Sequence, residues 1–338
     1  MDRIGTTFKA ENADLSARGP DTRLGRALRR SGGEDRGRFL ARNLRRYKYV
    51  YAMLAVVLAW YIVFCYVPMF GLVISFEKFN YAKGFLGSTF VGFANFRHLF
   101  EDEYFVQAFL NTFVIAFMRI SIEFPASVLL ALMLHEIRRF RRFRSLVQSF
   151  TILPHFFNWV IMGGLITMIL APDRGVLNLV IQSLTGTQID FLMDNNLFRW
   201  ILVLSDAIKE TGWNSIIFVA AIAGINPALY EAASMDGANR WQLVWNVTLP
   251  SIAPVIAIMF VLYVGSTFTM GFDQVYNLYS PLVFESGDII PTYIIRTLRN
   301  EPNLGVQGAA GFLNSVSCFV FLFLGNWITK RLGHESLY

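Results

Sequence analysis

The sequence predicts an all-α integral membrane protein with six transmembrane helices and both termini in the cytoplasm. Three observations carry this. Only 16% of the 338 residues are charged and 54% are hydrophobic, whereas a soluble domain carries about 25% charged residues. The mean hydropathy is +0.44. Six apolar runs each reach the roughly 20 residues a helix needs to cross a bilayer, and the basic residues between them alternate in density.

The chain opens with a basic segment, residues 1–48. Up to residue 49 there are 13 Lys/Arg against 6 Asp/Glu, and the rest of the chain sums to −1. The first long apolar run begins only near Val50, too late for a secretory signal peptide. A basic arm that directly precedes a span reads as a cytoplasmic tail, so no nucleic-acid partner is expected. The spans are expected near 50–76, 107–134, 146–170, 200–224, 250–275 and 308–329. Helices are required because lipid satisfies no backbone polar group. Connections on the side of the N-terminus hold 21 Lys/Arg and those on the other side hold 7, which orients both termini inward. The strongest marker is Arg138, Arg139, Arg141, Arg142 and Arg144. On the outer side, Pro172–Gly175 and Ser286–Asp288 read as turns.

Ionisable side chains inside a span cost about 2.5–3.5 kcal/mol each on insertion scales, so they should face the bundle interior or a water path. Arg119 and Glu123 are four apart on the second span and are expected to pair with each other. On the fourth span Asp206 is three or four residues from Lys209 and Glu210, and Trp213 and Asn214 follow one turn on. Asp273, Gln274, Tyr276 and Asn277 are expected at the outer end of the fifth span, and Asn314 within the sixth. Amides, carboxylates and aromatic faces suit sugar hydroxyls and rings, so Lys209, Glu210, Trp213, Asn214, Asp273, Gln274, Tyr276, Asn277 and Asn314 are candidate pathway residues. Each has a structural alternative, as a charge network, a helix end or packing.

No catalytic constellation is apparent. His98, His135, His155 and His334 show no metal-ligand spacing, and Cys65 and Cys318 stand apart in apolar runs. No lysine follows a glycine, so the chain lacks the phosphate-binding loop of an ATPase.

Residues 226–250 form an inner connection that does not read as a loop. Asn226 is a good N-cap and Pro227 fits a first helical position. Asp236-Gly237 breaks the helix. A second short helix follows from about Asn239 to Val247, which Leu249-Pro250 should end as the fifth span begins. Trp241, Val244 and Trp245 share a face, giving an apolar helix–turn–helix that needs either a partner surface or lipid headgroups.

Within it, Glu231-Ala232-Ala233, Gly237 and Val247-Thr248-Leu249-Pro250 resemble the EAA loop of ABC importer permeases, with Val247 in place of Ile. The resemblance runs over roughly residues 45–338. Asn111-Thr112, Leu153-Pro154-His155 and Gly212-Trp213-Asn214 are similar to the carbohydrate branch. Gly271–Asn277 followed by Thr292-Tyr293 is similar to permeases for oligosaccharides derived from polysaccharides, of the alginate type.

The resemblance implies a MetI-like permease bundle over 49–338 in the bacterial inner membrane. It implies ATPase coupling through Glu231, Ala232, Ala233, Asp236, Gly237, Leu249 and Pro250. The implied partners are two ATPase subunits that bind ATP and Mg, a second permease of paralogous sequence, an extracytoplasmic binding protein and membrane lipid. The chain itself needs no cofactor and cleaves no bond. A neutral and an acidic oligosaccharide are equally compatible substrates. Two other classes stand against this reading. A polytopic glycosyltransferase would need an aqueous catalytic domain, and an ion-driven carrier would need discontinuous helices in two repeated halves.

Overall fold

The computed structural model describes residues 47–137, 140–268, 271–300 and 302–331. The basic tail, Arg138, Arg139 and His334 lie outside the described residues. The chain forms two units, Met1–Gly71 and Leu72–Tyr338. The described part of the first is residues 47–71, most of the helix α1 (Lys48–Phe76), whose last five residues are counted in the second. The second holds a two-stranded antiparallel ribbon, β1 (Glu77–Lys78) and β2 (Thr89–Phe90), and the helices that follow. These are α2 (Ala94–Glu101), α3 (Glu103–Glu136), α4 (Arg141–Ile152), α5 (Trp159–Leu170) and α6 (Val176–Thr185). Then come α7 (Asn195–Ala223), α8 (Pro227–Met235), α9 (Arg240–Thr267), α10 (Phe272–Leu278), α11 (Ile290–Asn300) and α12 (Leu304–Arg331).

Among the described residues, α1, α3, α9 and α12 are each long and apolar enough to cross a membrane. Two bent pairs raise the number to as many as six. One is Arg141–Phe156 with α5, bent by 107°, and the other is α7 with α8, bent by 70°. The stretch expected as the third span, 146–170, is thus not one straight helix but part of a bent pair. Pro154 closes α4 in a 3₁₀ turn, Leu153–Phe156, because its ring cannot continue the α-helical ladder. Phe157 is extended, and the side chain of Asn158 restarts the chain as α5 by capping Ile161 N at 2.9 Å.

Two further prolines act differently. Pro68 and Pro250 each follow a π-helical turn, Ile62–Tyr66 and Val244–Thr248, and the helix continues through both. A widened turn makes room for the proline ring and its missing N–H. The expected stop at Leu249-Pro250 is therefore corrected: the second elbow helix and the fifth span are one 28-residue helix, α9. The span also ends earlier than expected, at Thr267. Gly271, at φ +106°, sets off α10 as a separate helix.

The core runs along α3, the longest helix. Phe105 and Ala108 pack with α2, α11 and α12 near one end. Ile115 meets Phe198 and Leu202 of α7 and Val275 and Leu278 of α10 in the middle. Ala131 meets Phe218, Ile222 and Ile252 near the other end. The outer connections carry more structure than their turns suggested. Asn178 of α6 is buried and bonds the Leu170, Ala171 and Ile189 backbone. Ser286 and Gly287 close a one-turn helix rather than an isolated turn.

Residues 280–290 are clamped to α3 and α7. Asn111 Nδ2 donates to the carbonyls of Glu285 (3.0 Å) and Asp288 (3.1 Å), while its Oδ1 accepts from Arg199 at 2.8 Å. Thr112 Oγ1 accepts from Ile290 N, and Arg199 Nε donates to Ser286 O. Arg296 pairs with Asp288, and its guanidinium lies 4.7 Å from the Phe284 ring centre. Burial pushes the Asp288 carboxyl above its ordinary range, while Thr292 and Arg296 pull the other way. Asn111 is fully buried, so Asn111→Leu strands several polar groups at about 1–3 kcal/mol each. The variant should unfold well below the parent in a detergent melt, and an unchanged melting temperature would refute the clamp.

Candidate functional site

A cavity of about 600 Å³ lies among α3, the turn after α4, α5, α7, α9 and the start of α10. Helical spacing builds its walls. Arg119, Glu123 and Ser127 recur every four residues on α3. Asp206, Glu210 and Trp213-Asn214 do the same on α7. Met259, Tyr263 and Ser266-Thr267 line it from α9, and Asp273 from the first turn of α10.

His155 reaches the cavity because α4 ends hard against α7. A methyl group on Gly212 would overlap the carbonyl of Thr151, so only glycine lets the two backbones meet. The Leu153–Phe156 turn then lays the His155 ring flat on Trp213, with centroids 4.3 Å apart and planes 4° apart. Trp159 adds another aromatic face.

The charges are arranged across helices. Arg119 Nε lies 3.2 Å from Asp206 Oδ2, and its Nη2 donates to Gln274 Oε1. Glu123 Oε1 accepts from Asn214 at 3.0 Å. Lys209 Nζ bonds Glu210 Oε1 (2.7 Å) and the His155 carbonyl (3.0 Å), and His155 Nδ1 lies 2.7 Å from Glu210 Oε2. The expected Arg119–Glu123 pair is therefore corrected. Arg119 turns to α7, where a carboxylate and an amide converge, and Glu123 takes an amide one turn further along. Asp206 likewise pairs with Arg119 in place of Lys209.

Breaking a buried pair from one side leaves an uncompensated charge, at about 3–5 kcal/mol. Arg119 is 3% exposed. Arg119→Met should therefore destabilise strongly, and the double change Arg119→Met with Asp206→Asn should recover part of the loss. A double variant no better than the single, by thermal melts, would contradict the pairing.

Of the candidate pathway residues, the structure brings Glu210, Trp213, Asn214 and Asp273 to the cavity, with Lys209 directly behind Glu210. It does not bring Gln274, Tyr276, Asn277 or Asn314 there. Gln274 is fully buried and bonds Leu202 O, Ser205 Oγ and Arg119. Asn277 packs beside Gly163 of α5. Asn314 Oδ1 is buried on α12 with no hydrogen-bond partner. Sequence reasoning assigned no pathway role to His155, Trp159, Tyr263 or Thr267. The four-residue stripes on α3 and α7 were the available signal for the wall. Among the described residues no group of three potential ligands could hold a metal ion.

The inner elbow is built from α8 and the start of α9. Asn226 caps α8 through Ala228 N, and Gly237 turns the chain at φ +83°. Asn239 and Gln242 form a capping box that starts α9. The Tyr230 hydroxyl bonds Thr248 Oγ1 at 3.0 Å and ties the two arms together. Arg240 pairs with Glu136 at the end of α3. Leu229, Met235, Trp241 and Trp245 are exposed, Met235 at 88%.

Comparison with known proteins identifies the architecture. Residues 124–334 match the model of the family described as binding-protein-dependent transport system inner membrane component. The chain is 36% identical to the protein LplB of Bacillus subtilis (strain 168) over 295 residues, covering 87% of this chain and 92% of that protein. It is 35% identical over 305 residues to YteP of the same organism, a polygalacturonan/rhamnogalacturonan transport system permease protein, covering 90% and 94%. Among solved structures it matches a chain of a bacterial ABC transporter involved in the import of the acidic polysaccharide alginate. There the TM-score is 0.80 and the identity 36%, over 86% of this chain and 98% of that one. A second structure of a bacterial alginate ABC transporter, in complex with an alginate pentasaccharide-bound periplasmic protein, matches equally, at a TM-score of 0.80.

Proposed function

The chain belongs to the binding-protein-dependent transport system inner membrane components, and on that premise we propose that it is the permease subunit of an ABC importer, carrying an oligosaccharide across the bacterial inner membrane. The bundle spans six times, with α4–α5 as one broken span and both termini in the cytoplasm. The 21 Lys/Arg in alternate connections against 7 in the others support that orientation. A second, paralogous permease completes the pathway. Two ATPase subunits, which bind ATP and Mg, dock on the elbow, and a loaded binding protein docks on the outer connections.

The observation that carries this reading is the continuity of α9. Its first turns form one arm of the elbow and its last turns wall the cavity, within a single 28-residue helix. At 1.5 Å per residue that is a rod of about 42 Å. A displacement at Trp241 and Trp245 therefore reaches Tyr263 and Thr267 along one uninterrupted helix, through the π turn at Val244–Thr248 and past Pro250 and Pro254. ATP binding closes the ATPase pair, moves the elbow, and swings the cavity wall. Such a bundle needs two states that bind ATP and sugar differently. Glu231, Ala232, Ala233, Asp236 and Gly237 shape the docking face, and Leu249-Pro250 lies inside the rod, directly after its π turn. Glu210, Trp213, Asn214 and Asp273 face the sugar, with Lys209 holding Glu210 in place.

Affinity capture of the tagged chain from solubilised membranes tests the subunit assignment. An ATPase and a second permease should co-purify and be identified by mass. A chain that purifies alone under conditions that keep it folded would contradict it.

A further inference from the structure

A second cavity, of about 280 Å³, lies beside the elbow, where α7 bends by 70° into α8. It has the volume of roughly nine waters, room for a headgroup and not for a lipid tail. His135 of α3, Arg144 of α4, Val219 and Ile222 of α7, and Tyr230 and Glu231 of α8 wall it. Tyr230 is fixed there, bonded to Thr248 and stacked on His135 with the ring planes 27° apart.

Two charges in this wall are left over. Arg144 stands seven residues before Thr151, on the face of α4 that meets α7 at Gly212. It is half-buried, yet its guanidinium has no partner among the described residues. Glu231, at the rim, is exposed and also without a side-chain partner there. Nearby Arg240 and Glu136 satisfy each other. A guanidinium drawn part-way out of water needs an anion to offset the lost hydration. Arg144 and Glu231 share the cavity without forming an ion pair, so one ligand that carries both charges would satisfy both.

The neighbouring surface of α4 points to the source of that ligand. Phe143, Leu146 and Phe150 are exposed at i, i+3 and i+7, an apolar stripe of the kind that faces lipid in a spanning protein. Arg141 and Arg142 are exposed at the same end of the helix. Basic pockets between membrane helices on the cytoplasmic side take lipid headgroups.

We propose that this cavity binds the headgroup of one inner-leaflet phospholipid that carries both a phosphate and a primary ammonium. The phosphate sits on the Arg144 guanidinium, whose planar donors match its oxygens. The ammonium donates to the Glu231 carboxylate. The assignment of this end to the inner leaflet rests on the importer reading above.

The test is native mass spectrometry of the captured complex in detergent, titrated with phosphatidylethanolamine, phosphatidylcholine and phosphatidylglycerol of matched chains. Phosphatidylcholine has no N–H to donate, and phosphatidylglycerol has no cation. One phosphatidylethanolamine should be retained about tenfold more tightly than either, the worth of one charge-assisted hydrogen bond. Arg144→Met should remove that preference and Arg144→Lys should keep most of it. Arg142→Met, at an exposed neighbour, should leave it unchanged. Arg144 bonds no side chain, so the Met variant should melt like the parent. Equal retention of the three lipids, or a preference that survives Arg144→Met, would reduce the adduct to boundary lipid and overturn the proposal. A preference for phosphatidylglycerol would overturn the role of Glu231, and displacement of the lipid by inorganic phosphate would place a free anion in the site instead. Lipid retention is read whether or not the chain transports sugar, so failure of the importer reading shows separately, as the absence of co-purifying subunits.

Discussion

Replacing Gly237 with valine should cut ATP-driven uptake at least tenfold while the chain still reaches the membrane and still assembles. Gly237 sits at φ +83°, between the arms of the elbow, where its N–H bonds Ser234 O and the next residue's N–H bonds Ala233 O. A β-branched residue is a genuine outlier at that dihedral. No atom lies within 4 Å of the position a Cβ would take, so the effect comes from the backbone and not from crowding. Asparagine tolerates the left-handed region. Gly237→Asn should therefore retain most of the transport that Gly237→Val loses. Equal loss in both would mean that side-chain bulk at the ATPase contact, and not elbow geometry, is what matters. Unchanged uptake in the valine variant would remove Gly237 from the coupling path.

The second large effect is expected at Gly212. Its α-carbon faces the Thr151–Ile152 backbone of α4, which cannot rotate aside as a side chain could. Overpacking a fitted contact costs about 1–3 kcal/mol, and a clash between two backbones belongs at the upper end. Gly212→Val should push the Leu153–Phe156 turn away from α7 and separate His155 from Trp213. Three losses follow: a lower melting temperature, weaker quenching of tryptophan fluorescence by the histidine, and lost uptake. Gly164→Ala on α5, where nothing lies within 4 Å of an added Cβ, is the matched control and should be tolerated. A Gly212→Val protein that melts and transports like the parent would show that the two helices do not meet as described.

These cases mark how much could be read in advance. Bulk apolarity located α1, α3, α7 and α12 closely, but neither end of α9 nor the break between α4 and α5, because a long apolar run is costly to misplace while its ends carry little signal. The elbow was legible for a different reason: Asn226, Pro227 and Gly237 each have a narrow backbone role. What failed was pairing across helices. The i, i+4 spacing of Arg119 and Glu123 is real, but Arg119 answers to Asp206 and Gln274, which are distant in sequence. Nothing local encodes that choice.

Gln274 was misplaced for a related reason. An apolar run carries no mark of where a helix stops unless a glycine is taken as decisive, and Gly271 was not. Helices α2 and α6 escaped because each is too short to register as a span. His155 was visible only as part of Leu-Pro-His. Its role emerged from the close approach that Gly212 permits.

The central claim is that this chain moves sugar only when an ATPase moves its elbow. The most direct test reconstitutes the chain with its co-purifying subunits in vesicles. Uptake is then compared with ATP inside, without ATP, and with an ATPase subunit whose phosphate-binding lysine has been replaced. The account predicts uptake in the first case alone. Uptake that persists without ATP, or that follows an imposed ion gradient in vesicles holding this chain only, would contradict it.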